Sequence, residues 1–168
     1  NSPEAAVLEL CLQGQSLEVL EDAWFAAAGP DTGGTLASGE AVRLRAGTRM
    51  SFPRTFSGTW AYLAVEGGFA ARRILGSVST HVGAGLGRDL RAGDVVPRHA
   101  AIGARAWDQV ARRSLAPPAR RNFAATDAIR VWPGPQWEQF DERACETLFR
   151  SAWRVSARSD RSGYRLEG

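Results

Sequence analysis

Glycine punctuation sets the strongest limit on the fold open to this chain. In the first part of the sequence the apolar runs are short, and each stops at a Gly-centred break. Residues 6–12, "AVLELCL", are apolar apart from Glu9 and read as a mostly buried strand that ends before Gly14. "SLEVL" (16–20) follows, and then "AWFAAAG" (23–29), which runs into Gly29-Pro30-Asp31 and Gly33-Gly34. Residues 41–52 read as two short strands joined at Ala46-Gly47, and "TWAYLAVEGGF" (59–69) as an aromatic-rich strand closed by Gly67-Gly68. Short strands at regular spacing with Gly turns between them predict a mainly β fold, a barrel or a sandwich.

The second half changes character. "LRAGDVV" (90–96) is expected to turn at Ala92-Gly93-Asp94 into a short strand. Residues 98–127 mix Ala, Arg and Pro with weak periodicity, and Pro117-Pro118 breaks any helix, so an irregular crossover is expected there. "AIRVWPG" (128–134) reads as strand and turn. The clearest helix is 141–153, with Asp141 as its N-cap, Glu142 in the first turn, and Ala144, Leu148, Phe149 and Ala152 on one face. Residues 154–168 alternate, turn at Ser162-Gly163 and begin a final strand.

At 168 residues the chain suits a single domain spanning 1–168, large enough to bury a core without staples. It contains no apolar run of transmembrane length. Its acidic start, "NSPEAAVLEL", has no basic region of the kind that opens a signal peptide and no initiator Met, which suggests a fragment or a trimmed chain. The net charge is +3, and all 21 basic residues are Arg. So modest an excess, scattered and without interleaved aromatics, does not call for nucleic acid. The absence of Lys removes a Schiff-base former, a P-loop cation and a carboxylated base from these residues. Cys11, between Leu10 and Leu12, is expected to be a buried thiol; with the distant Cys145 it suggests neither zinc nor a disulfide framework and fits a reducing cytosol. His81 and His99 share no metal-ligand spacing, so no metal site is expected.

Two polar stretches are candidates for chemistry. The first, "ILGSVSTHVGAGLGRDLRAGDVV" (74–96), alternates Gly83, Gly85 and Gly87 with Ala84 and Leu86. It fits neither the P-loop, for want of Lys, nor a dinucleotide fingerprint. Successive Gly backbones can still present N–H groups to an oxyanion, and Arg88 can add a bidentate partner. Spacing alone favours a tight turn in which glycine supplies positive φ. Ser77, Ser79 and Thr80 are available to hold a carbonyl or to cap a turn, and "GSVSTH" is not a nucleophile elbow. The second stretch, "SDRSGYRLEG", gathers Asp160, Arg161, Tyr164 and Arg165 around Gly163, either as a solvated face or as the lining of a polar cleft.

Taken in order, "YLAVEGG", "LGSVST", "LRAGD", "PGPQW" and "GYRLEG" resemble allophanate hydrolase subunit 2, a family also described as biotin-dependent carboxyltransferase or as the C-type subunit of 5-oxoprolinase. The resemblance covers nearly the whole chain and corresponds to the middle of a family member, without the family's N- and C-terminal segments. It implies a cyclophilin-like β-barrel with few short helices. It implies a cytoplasmic component of an ATP-dependent 5-oxoprolinase, which converts 5-oxoproline to L-glutamate and is active only in complex. The implied partners are a kinase-inhibitor-like B-type subunit and the A-type subunit of 5-oxoprolinase. The alternatives are a biotin-dependent carboxyltransferase component acting on urea or a related amide, and a non-catalytic regulator that binds the kinase-inhibitor-like partner. With no Lys present, these residues carry no biotin themselves. By position in the motifs, the resemblance implies catalytic roles for Ser79, Arg88 and Asp160. It implies substrate contacts from Ser77 and Thr80, with Arg161, Tyr164 and Arg165 on the opposite wall.

Overall fold

The computed structural model describes residues 1–12, 14–55, 57–100, 113–116, 119, 121–124, 128–160 and 162–168. They fall into two compact units, Asn1–Ala125 and Thr126–Gly168. The fold is mainly β, as the Gly-broken runs predict.

In the first unit the strands are β1 (Leu8–Cys11), β2 (Ser16–Glu18), β3 (Ala23–Ala28), β4 (Ala41–Leu44), β5 (Arg49–Ser51) and β6 (Trp60–Val65). An open four-stranded antiparallel sheet runs β1-β6-β3-β4, and β2 pairs with β5 in a two-stranded sheet. Register follows from the period-two alternation of a strand. On β6, Ala61, Leu63 and Val65 are buried. Leu63 lies opposite Leu8 on one side and Ala27 on the other, and Phe25 lies between Val65 and Val42. These cross-strand rows form one apolar face, joined in the core by Val19, Leu36, Met50, Phe52 and Phe69. Leu63 and Phe52 are the most deeply enclosed, at 0% and 1% exposure. Burial of one such side chain contributes about 1.5–3 kcal/mol.

The Gly67-Gly68 turn closes β6 as expected, and both residues have φ of +79°. The Asn1 side chain straps this turn, donating to the Val65 carbonyl at 2.7 Å and accepting the Gly67 N–H at 2.9 Å.

The second unit holds helix α1 (Glu142–Arg150) and a small hairpin of β7 (Arg154–Val155) and β8 (Leu166–Glu167). Asp141 caps α1 by accepting the Ala144 N–H at 2.7 Å, as the sequence predicts. Trp137 packs against Phe149 at 6.1 Å between ring centroids.

Several expectations need correction. Residues 90–96 turn at Arg91–Asp94 but make no strand. Pro97 has no N–H to give a ladder, and the pairing beyond it reduces to the isolated bridge Phe69–Arg98. Residues 128–134 are likewise not strand, and Ile129 and Trp132 stand out at 88% and 92% exposure. The helix ends at Arg150, before Ala152. Cys11 is exposed, because it closes an edge strand on which Leu10 takes the inward position. The crossover expected at 98–127 lies largely outside the described residues.

Candidate functional site

The hydroxyl-bearing loop of the first unit begins with a tight turn. Ile74 and Ser77 exchange backbone hydrogen bonds of 2.8 and 2.9 Å. The two residues between them, Leu75 and Gly76, have φ of 50° and 81°. Two left-handed central residues make this a type I′ turn, and glycine is at home in the second position. Leu75 tolerates the same region with its side chain 96% exposed. Arg73 braces the turn from upstream, donating to the Gly76 carbonyl at 2.6 Å and pairing with Glu4 at 3.2 Å. Beyond the turn, Ser77 Oγ accepts the Ser79 N–H at 3.1 Å. A hydroxyl that accepts in this way keeps its own hydrogen to donate. Ser77, Ser79 and Thr80 lie on the outer surface of the loop, with Ser79 and Thr80 exposed and Ser77 beside the turn.

The glycine run closes on itself. His81 and Leu86 exchange backbone hydrogen bonds of 2.7 and 3.1 Å around a 3₁₀ turn at Val82–Ala84. The Ala84 N–H reaches the His81 carbonyl at 3.0 Å and His81 Nδ1 at 3.2 Å, and the Gly85 N–H reaches the Val82 carbonyl at 2.9 Å. Gly85 and Gly87 take φ of 71° and 80°, the left-handed region that favours glycine. The N–H groups of Ala84, Gly85 and Leu86 are therefore taken up inside the turn. Gly85 and Gly87 thus serve the turn's backbone geometry.

Arg88 meets Asp94 in a two-pronged pair: Nη1 to Oδ2 at 2.6 Å and Nη2 to Oδ1 at 2.9 Å. Nη1 also donates to the Asp89 carbonyl at 3.0 Å, and Asp94 Oδ2 accepts the Arg91 N–H at 2.7 Å. These bonds, first the Arg88 guanidinium and then the Arg91 N–H, hold the Asp94 carboxyl down at about 2, and the same pairing pushes Arg88 further up. Arg88, expected as an anion partner, thus has its fork on Asp94. The sequence alone marks Asp94 only as a turn residue. The signal for its second role is a carboxylate six residues after Arg88, across the Gly93 turn.

The other group lies in the second unit. Asp160 Oδ1 accepts the N–H groups of Ser162 at 2.8 Å and Gly163 at 3.3 Å, and the backbones of Asp160 and Gly163 pair across the turn. The Ser162 N–H is the main cause holding the Asp160 carboxyl below its usual range, with Arg165 adding a smaller pull. Arg165 is tied through its backbone, its N–H donating to Ser159 Oγ at 2.9 Å and its carbonyl accepting the Ser156 N–H at 2.8 Å. Ser156 Oγ donates to Glu167 at 2.6 Å, and Arg158 pairs with Glu167 at 3.6 Å. Tyr164 is 62% exposed. Arg161 lies outside the described residues. The structure thus brings Ser77, Ser79, Thr80 and Arg88 together on one loop, and Asp160, Tyr164 and Arg165 on one hairpin of the other unit.

Among the described residues no group of His, Cys, Asp and Glu could hold a metal ion, and no helix is long and apolar enough to cross a membrane.

Comparison with known proteins agrees with these motifs. The chain is 32% identical to the C-type subunit of 5-oxoprolinase from Escherichia coli (strain K12) over 177 aligned residues, covering 100% of this chain and 54% of that protein. It is 29% identical to the urea amidolyase of Saccharomyces cerevisiae (strain ATCC 204508 / S288c), over 76% of this chain and 7% of that protein. The crystal structure of TTHA0988 superposes with a TM-score of 0.80 at 31% identity, covering 98% of this chain and 60% of that one. The chain thus spans about half the length of the Escherichia coli relative. The family model for the carboxyltransferase domain, subdomain A and B, matches residues 1–168 from end to end, and the chain belongs to that family.

Proposed function

We propose that this chain acts as part of the C-type component of a 5-oxoprolinase, in a complex with a kinase-inhibitor-like B-type partner and an A-type partner, which opens the amide ring of 5-oxoproline to glutamate with turnover of ATP. The observation that carries this reading is the end-to-end likeness, at 32% identity, to the C-type subunit of the Escherichia coli 5-oxoprolinase.

The loop chemistry is consistent with it. Opening an amide ring places negative charge on the former carbonyl oxygen, and fixed donors at that position lower the barrier. Ser77, Ser79 and Thr80 offer hydroxyl donors on a loop whose backbone is braced at both ends. In this reading Ser79 and Thr80 orient the substrate carbonyl, Ser77 sets the position of Ser79, and Arg88 holds the loop in place. Asp160, Arg161, Tyr164 and Arg165 are proposed separately, as polar contacts supplied by the second unit. ATP turnover is assigned to the assembled complex and not to the glycine run, where the Ala84, Gly85 and Leu86 N–H groups are taken up within the turn. Activity is expected only in the complex, and the complex is expected in the cytoplasm.

The likeness to urea amidolyase supports a second reading, carboxyl transfer from carboxybiotin to urea or a related amide. With no Lys in these residues, the biotin would arrive on another chain or segment. A substrate panel separates the two. The complete protein is mixed with its B-type and A-type partners and assayed with 5-oxoproline and ATP, and separately with urea and supplied carboxybiotin. Glutamate release in the first assay alone supports the 5-oxoprolinase reading. Carboxyl transfer to urea in the second alone replaces it. Tight partner binding with neither activity selects a regulator.

A further inference from the structure

We infer that Asp94 is a positioning residue for the hydroxyl loop, acting through a clasp on Arg88. The inference rests on the reading of that loop as the substrate-contacting element. The clasp is a line of contacts with the Thr80 hydroxyl at its far end. Gly87 lies against the side chain of Thr80: a Cβ placed on it would come within 3.1 Å of Thr80 Cγ2 and Oγ1. The next residue is Arg88, whose fork is bound at both nitrogens by Asp94. Asp94 is itself fixed, because it accepts the Arg91 N–H and donates its own N–H to the Arg91 carbonyl at 3.0 Å.

An ordinary surface ion pair contributes little, because two long side chains must be ordered in water. This pair differs in three respects. It is bidentate, its carboxylate is only 23% exposed, and the carboxylate is short and already anchored to its own turn. Only the Arg88 side chain loses freedom when the clasp closes. Arg73 on Gly76 anchors the start of the loop, and Asp94 on Arg88 anchors its end. The His81–Leu86 backbone pair lies between the two anchors. Releasing Asp94 frees Arg88, then Gly87, and with it the rotamer and placement of Thr80.

The test is amide hydrogen exchange on the complete protein carrying Asp94→Asn, which keeps the shape and removes the charge. A second variant, Arg88→Lys, keeps the charge and removes the fork. Loss of the charge-assisted bond predicts about fivefold faster exchange at the His81 and Leu86 amides. The sheet amides of Phe25 and Leu63 serve as the control for global unfolding and should stay unchanged. In the reconstituted complex both variants should raise KM for 5-oxoproline more than they lower kcat. Unchanged exchange at His81 and Leu86 in both variants overturns the clasp whether or not the complex turns over. A complex with no 5-oxoproline turnover, but with the faster exchange, retains the clasp and removes the functional reading beneath it.

Discussion

Asp94 and Gly67 show how single residues set local geometry here. The Asp94 carboxyl lies at about 2 against an ordinary value of 3.8, because its ionised form accepts from Arg88 and the Arg91 N–H. A carboxyl depressed in the folded state adds stability above its unfolded value and loses it as pH falls through its folded value. The clasp is therefore expected to be intact above about pH 4 and to open as pH falls towards 2. Carboxyl-carbon NMR should show Asp94 titrating well below an ordinary aspartate, and Arg88→Ala should return it towards 3.8. Gly67 makes a different demand. With φ of +79°, a Cβ on it would run into the His99 carbonyl. Gly67→Ala should destabilise the fold by more than about 1 kcal/mol in denaturant melts. The Gly67-Gly68 turn was legible in the sequence, since paired glycines after a strand have few other uses. The Asp94 clasp was not, because the sequence shows a carboxylate but not which cation folds back onto it.

Among the elements, strand placement was read most fully. Every predicted strand of residues 6–69 is present, within a few residues of its expected ends. Each strand there carries apolar residues that face the core and finds a partner in a sheet. Leu63→Ala removes the most enclosed of these side chains, and chemical denaturation should show a loss of about 2–5 kcal/mol. The helix was legible through its cap. Asp141→Ala is expected to cost about 1 kcal/mol of helix stability, read as reduced helicity and faster exchange of the Ala144 amide. What failed was the strand reading of 90–96 and 128–134, where β-branched residues precede Pro97 and Pro133. Local propensity there was silent about the missing ladder partner. The buried-thiol reading of Cys11 failed for a related reason, since an apolar run does not say which residue ends the strand at the sheet edge.

At the scale of the molecule, family membership rests on an end-to-end match, and the mainly β fold agrees with the TTHA0988 structure. Function was not legible from composition or spacing. The hydroxyl loop taken alone is a well-braced turn, and the glycines that first suggest a phosphate cradle prove to close the turn. The proposal that this loop carries chemistry rests on its row of Ser77, Ser79 and Thr80 on a backbone held at both ends. The central claim is that this chain takes part in opening 5-oxoproline. The most direct measurement is the rate of glutamate formation from 5-oxoproline and ATP by the complete protein with its B-type and A-type partners, compared with the same mixture lacking this chain. Steady glutamate release that requires this chain is expected, falling at least about tenfold with Ser79→Ala, as when a donor to a developing oxyanion is removed. Glutamate release that proceeds equally well without the chain would contradict it.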